Sequence, residues 1–244
     1  MMKSVVSFSV LALALLIQST MAKAFELSSG KQQVTLLELY TSEGCSSCPP
    51  ADRWLSGLEN DPRLWRELVP VSFHVDYWDW IGWNDRFAQA RFSARQQRHI
   101  EQGHARVVYT PGFFVNGQEW RGFFERAPIS ITALPASELS IRLIDQNLSV
   151  TFDSTPAGGS ALTVHVALLG MGLDTEVQAG ENRGRTLQHD FVVLSLDSRA
   201  LMADADTLQA ELPLPQLSQA QAIAAWVTED DSLRPLQAVG GFVQ

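Results

Sequence analysis

Hydrophobic and polar positions divide the chain into three stretches. Residues 5–17 form an uncharged, mostly apolar run, shorter than the roughly 20 residues that span a bilayer. From residue 34 to about 124 the pattern switches between strand and helix signals. Beyond residue 138 short apolar runs alternate with turn signals, and strands are expected almost throughout.

The first strand is expected at Val34-Thr35-Leu36-Leu37-Glu38-Leu39-Tyr40, a nearly continuous apolar run that suits a central strand covered on both faces. A helix should open after Cys45-Ser46-Ser47-Cys48-Pro49-Pro50 and run to about Asn60, with Trp54, Leu55 and Leu58 on one stripe. Pro49 and Pro50 fit a first helical turn, where backbone N–H groups lack partners anyway. Residues 68–77 predict a second strand, and residues 87–102 a helix capped by Asn84 and ended by Gly103. Residues 112–115 predict a third strand. Asn116-Gly117 is the strongest hairpin signal in the chain, so residues 119–124 should return antiparallel. Residues 125–137 make a poor helix, with Pro128, Pro135, Ile129, Ile131 and Thr132. Strands are then expected at 139–144, 148–152, 162–168, 187–196, 208–212, 222–227 and 236–239, a spacing that suggests a β-sandwich.

The start of the chain changes where this fold would work. Lys3, the apolar run and Ala22-Lys23-Ala24 together read as a secretory signal over residues 1–24, with a mature chain from Phe25. The protein is therefore expected to be periplasmic or secreted, in an oxidising compartment where a disulfide persists. No later run is long enough for a membrane helix, so no membrane insertion is expected after cleavage. Losing Lys3 and Lys23 takes the net charge from −9 to −11, which argues against a nucleic-acid partner. With 45% hydrophobic and 18% charged residues, the chain is globular rather than disordered. Two cysteines exclude a disulfide-stapled scaffold.

Those two cysteines carry the chemistry. Cys45-x-x-Cys48 follows a strand and opens a helix, whose N-terminal potential stabilises a thiolate. In such a pair Cys45, at the helix start and exposed, would attack, and Cys48 would resolve the mixed disulfide. A purely structural bridge here would close a loop of only four residues, worth about 2 kcal/mol. A zinc site would lack ligands, since no further cysteine exists. No cofactor is expected.

The stretch 37–52, Val75-Asp76-Tyr77-Trp78-Asp79-Trp80-Ile81-Gly82-Trp83 and Tyr109-Thr110-Pro111 together resemble the secreted thioredoxin-like proteins of the domain of unknown function 1223 family. The likeness extends more loosely to Gly180-Glu181-Asn182-Arg183-Gly184-Arg185-Thr186-Leu187. It implies an α/β thioredoxin-like domain over residues 25–130, and the strand spacing beyond it an all-β sandwich-like domain over 131–244. It also implies a cis-proline at Pro111 beside the cysteines, with Thr110 offering backbone groups to a bound chain. Glu38 falls near the place of a buried acid. It is either a desolvated carboxyl with a raised pKa that takes the proton from Cys48, or a salt-bridged structural acid.

Tyr77, Trp78, Trp80 and Trp83 read as an aromatic wall for a partner's apolar segment or as a plug of the core; at least one exposed and two buried rings are expected. Arg91, Arg95 and Arg98 make a helical stripe, either a solvated face or an anion site. His74, His99 and His104 carry no metal-ligand spacing. The expected function is thiol–disulfide oxidoreduction with a protein thiol or disulfide partner. The alternatives are a copper(I)-handling protein using both thiolates, and a non-catalytic binding module.

Overall fold

Two strands buried along their whole length organise the molecule. A computed structural model of the chain describes residues 25–131, 134–153, 161–215 and 219–243; the expected signal lies outside the described residues. In chain order the strands are β1 (Phe25–Ser28), β2 (Thr35–Thr41), β3 (Leu68–His74), β4 (Gly112–Val115), β5 (Gln118–Glu119), β6 (Leu139–Ile144), β7 (Asn147–Phe152), β8 (Leu162–Gly170), β9 (Leu173–Glu176), β10 (Thr186–His189), β11 (Val192–Ala200), β12 (Met202–Asp204), β13 (Thr207–Pro213), β14 (Ala220–Glu229) and β15 (Pro235–Phe242). The helices are α1 (Pro49–Ser56), α2 (Ala90–Glu101) and α3 (Gly122–Glu125).

An α/β thioredoxin-like domain followed by a separate all-β domain is not what the chain builds. The structure is mostly β, with large mixed sheets and few helices. One eight-stranded sheet, ordered β15-β14-β8-β11-β3-β2-β4-β5, runs across the expected boundary at residue 131. β2 and β3 pair in parallel from Thr35↔Leu68 to Thr41↔His74, and β11 from the second half docks parallel to β3 at Val192↔Ser72. A five-stranded sheet, β1-β6-β7-β13-β12, and the β10-β9 pair complete the strands described. The first half alone reads as strands and helices in turn, but the strand that extends its sheet lies more than a hundred residues later.

Burial follows from this arrangement. β14 alternates between two cores: Ala222, Ala224 and Trp226 face the one around Phe73 and Phe92, while Ile223, Ala225 and Val227 face the one shared with β6, β7 and β13. Every position from Ala222 to Thr228 is therefore buried. Pro70 sits inside β3 at no cost to the ladder. Ser72 N donates to Phe191 O at 2.8 Å, so the donor that Pro70 lacks would point along the same edge, where pairing with β11 is confined to Ser72.

Several elements differ from expectation for local reasons. The run 187–196 splits into β10 and β11 because Phe191, fully buried, takes φ +57° and turns the chain. The return strand is only β5: Trp120 folds back to pack against Trp54 and edge-on against Phe113, and α3 follows at once. α2 begins at Ala90 after Gln89 rather than at Asn84, and α1 gives way to a 3-10 turn at Gly57–Asn60. Asn116 and Gly117 both have positive φ, +47° and +77°, as the expected hairpin turn demands.

Candidate functional site

β2 delivers the chain into a tight turn at the edge of the buried core. Cys45 N donates to Ser42 O and Cys48 N to Cys45 O, at 3.1 and 3.2 Å. The turn brings the two sulfurs together, and Cys45 and Cys48 form a disulfide with Cα atoms 5.5 Å apart. The N-cap of α1 is Cys48, not Cys45. Pro49 and Pro50 occupy the first helical positions without N–H groups, and the amides of Ala51 and Asp52 already donate to Cys48 O at 2.8 and 3.1 Å. This helix start offers a nearby thiolate its macrodipole but none of those first four amides. Cys45 is 1% exposed and Cys48 0%, so the expected exposed attacking sulfur is covered in the disulfide form. Ser46 and Ser47 between them are exposed.

The second half holds this turn in place. Buried Asn182 donates from Nδ2 to both Glu43 O and Cys45 O, at 2.8 and 2.9 Å. Neighbouring Glu181 accepts from Ser46 N at 3.1 Å through Oε2. Gly180, with φ +72°, lets this loop approach Trp83: an added Cβ would lie 3.2 Å from Trp83 Cβ.

The aromatic segment frames the same turn. Trp78 Nε1 donates to Thr110 Oγ1 at 2.7 Å, and Trp83 Nε1 to Glu43 Oε2 at 2.8 Å. Gly44 has room for no side chain, because its Cβ would sit 3.0 Å from Trp78 Cβ. Trp80 is 81% exposed, while Tyr77, Trp78 and Trp83 are half-buried. The expected exposed ring is present; of the rings expected to be buried, Tyr77 and Trp78 pack against the core but stay half-buried. The Thr110–Pro111 peptide is cis, and the next residue, Gly112, pairs with Tyr40 on β2. Cys45, Cys48, Thr110, Pro111, Trp78 and Trp83 are thus gathered around one end of β2.

Glu38 lies elsewhere, on the α2 side of β2. It is fully buried, receives Arg95 Nε and Nη2 at 3.1 and 2.9 Å and the Tyr40 hydroxyl at 2.8 Å, and has His99 Nε2 at 3.4 Å. Burial alone would raise its pKa, but the Arg95 charge and the His99 contact outweigh it and hold the carboxyl well below the usual range. The raised-pKa proton acceptor is not found; Glu38 is the salt-bridged acid. Arg95 is therefore a core residue, while Arg91 and Arg98 reach Leu196 O and Asp231 O in the second half, so no anion-binding stripe forms.

A second cluster adjoins the cysteine turn, and the sequence reading missed it. Glu43, Asp52, His74, Asp85 and His189 are all at most 5% exposed. His74 Nδ1 and Asp85 Oδ2 are 2.6 Å apart. Burial opposes both charges, yet each sustains the other: Asp85 draws the His74 pKa up and His74 draws that of Asp85 down. His189 stands between two carboxylates, Nε2 3.5 Å from Glu43 Oε1 and Nδ1 3.8 Å from Asp52 Oδ2. The available signal was polar residues at the ends of apolar strand runs, His74 on β3 and His189 on β10. Among the described residues no group of three or more His, Cys, Asp and Glu side chains is arranged to hold a metal ion. None of the described helices is long and apolar enough to cross a membrane.

Comparison with known proteins gives a family and a fold. No curated protein matches the sequence significantly. A structural-genomics protein from Agrobacterium tumefaciens is similar in fold, with TM-score 0.61 and 22% identity over 86% of this chain and 94% of that one. HBP35 of Porphyromonas gingivalis matches with TM-score 0.57 and 16% identity, covering 87% of this chain and 76% of that one. The family model described as a protein of unknown function, DUF1223, matches residues 36–228, both halves of the eight-stranded sheet included, and the chain belongs to that family.

Proposed function

We propose that this protein exchanges disulfides with partner proteins through Cys45 and Cys48, acting in the periplasm or outside the cell. The observation that carries this reading is the formed Cys45–Cys48 bridge itself. It joins residues three apart, so it adds only about 2 kcal/mol of loop constraint to a chain whose cores are already extensive. Redox turnover gives such a short bridge a use that stability does not. Its surroundings suit the task. Exposed Ser46 and Ser47 mark where a partner would approach, and Trp78, whose indole N–H donates to Thr110, lies against Gly44 just before them. Cys45 is the sulfur that meets the partner, and Cys48 closes the bridge behind it.

The test is turnover of a protein substrate, with oxidised protein offered a reduced substrate and reduced protein offered a scrambled one. Exchange that disappears in Cys45→Ser is expected. Cys48→Ser should accumulate mixed disulfides through Cys45. Absence of exchange in both directions, with the bridge still formed in cells, would refute the reading.

A further inference from the structure

Disulfide exchange moves protons as well as electrons, and the cysteine turn is built over buried groups able to hold one. Cys48 has helical backbone angles, φ −78° and ψ −36°, and Asp52 lies four residues on. Side chains at that spacing share one helix face. Asp52 is 5% exposed and its Oδ2 has no hydrogen-bond partner. His189 approaches it from β10 with neither ring nitrogen hydrogen-bonded, and the far nitrogen faces Glu43 Oε1, also unpartnered. Buried polar atoms without partners are uncommon, and four of them meet here beside the only cysteine pair. A cleft of about 210 Å³ lined by Pro49, Asp52, Arg53 and residues 186–188 brings solvent to the Asp52 side.

We propose that Asp52, coupled through His189 to Glu43, is the proton acceptor and donor for the Cys48 sulfur. The proposal rests on the disulfide-exchange reading above. In the closing step Cys48 Sγ gives its proton to the Asp52 carboxylate and attacks Cys45 Sγ in a mixed disulfide. The Cys45–Cys48 bond forms, the bond from Cys45 to the partner breaks, and the partner leaves as a thiolate with the electron pair. In the opening step a partner thiolate attacks Cys45 Sγ, and the expelled Cys48 thiolate takes the proton back from Asp52. His189 moves the charge between Asp52 and Glu43, so neither carboxylate is left isolated in the core.

The electrostatics agree with this role. Burial pushes the Asp52 carboxyl above its ordinary value, further than the imidazoles of His189 and His74 draw it down. The charged and titratable groups facing Asp52 are His189 on β10, His74 at the end of β3 and Asp85 ahead of α2, with Glu43 on the far side of His189. Arg53, next on α1, shares its cleft.

The test follows bridge closure in the full-length protein. Reduced wild type, Asp52→Asn and His189→Gln are mixed with glutathione disulfide across a range of pH, after unfolding curves confirm that each variant is folded. Asp52→Asn should close about thirtyfold more slowly at neutral pH, where a thiol with an ordinary pKa is only a few per cent thiolate. The deficit should vanish above about pH 9, where a thiol with an ordinary pKa of about 8.5 loses its proton unaided. His189→Gln should show a smaller deficit with the same convergence, and it decides the matter if Asp52→Asn does not fold. Parallel pH profiles, or no slowing, would overturn the proposal while leaving exchange intact. If wild type itself fails to exchange, the reading beneath it fails instead, and the proposal with it.

Discussion

Glu38→Gln should destabilise the protein severely without touching its sulfur chemistry. The substitution keeps the shape and an oxygen for the Tyr40 hydroxyl, but removes the charge that receives two guanidinium bonds at 2.9 and 3.1 Å. Arg95 is 6% exposed and would remain charged in the core without its opposite charge, beside the Phe73 and Trp226 rings at 5.3 and 5.4 Å. Removing one partner of a buried ion pair costs about 3–5 kcal/mol, against less than about 1 kcal/mol for an exposed pair. The loss is mostly the unpaired charge, so Glu38→Leu combined with Arg95→Met should recover most of it. Urea unfolding at neutral pH measures both.

The pH dependence supplies an independent check. The folded Glu38 pKa lies below the unfolded value of about 4.3, so its contribution is complete above that value and declines as pH falls beneath it. The gap between wild type and Glu38→Gln should stay flat from neutral down to about pH 5 and narrow below about pH 4. A loss under about 1 kcal/mol at neutral pH, or a gap that does not narrow in acid, would refute the ion-pair reasoning. Slowed bridge closure in folded Glu38→Gln with a shifted pH profile would restore Glu38 as a proton acceptor at the expense of Asp52.

Two further outcomes follow from the joined sheet. Asn182→Ala removes both donors that hold the Glu43 and Cys45 carbonyls, so reduced protein should be alkylated severalfold faster at Cys45 than wild type, with Cys48 slower in both; peptide mapping after timed iodoacetamide treatment reads this, and an unchanged Cys45 rate would mean that the loop does not guard the sulfur. A chain ending near Phe124 loses Ala167, Leu169, Ala222, Trp226 and Ala238 from the core around Phe73, so it should lack a cooperative unfolding transition, and a sharp transition would show that the first half folds alone.

What the sequence disclosed depended on how far each residue's partner lies along the chain. β2, β4 and the Asn116-Gly117 turn were legible because an unbroken apolar run and an Asn-Gly pair mark them whatever their partners are. β14 was legible as a strand because both its faces are apolar, yet nothing in its pattern says which two cores it divides. The seam at Val192↔Ser72 could not be read, since a single pairing depends on the buried turn at Phe191 and on Pro70 leaving the edge of β3 bare. The cysteine pair was plain by motif, but Asn182, which holds its turn, and its buried neighbour, His189, lie more than 130 positions away.

Polar residues inside apolar runs were the underused signal. Glu38 was weighed both ways because its partner, Arg95, lies on a helix whose arginines read as a surface stripe. Burial of a charge is affordable only where an opposite charge or a full set of hydrogen bonds meets it. Glu38 meets that condition with Arg95, Tyr40 and His99, and so is fixed in one protonation state. Asp52, Glu43 and His189 do not meet it: their contacts are long and their outer atoms lack partners. A group that is satisfied in one protonation state is suited to holding a fold together. A buried carboxyl short of partners is pushed toward its neutral form, as Asp52 is, and so keeps a proton at a pH where an exposed acid has lost it; Asp52 lies four residues from Cys48. Beyond the sheet seam at Val192↔Ser72, the two halves of the chain meet in the core at Arg95 and Trp226 and at the cysteine turn through Asn182 and His189.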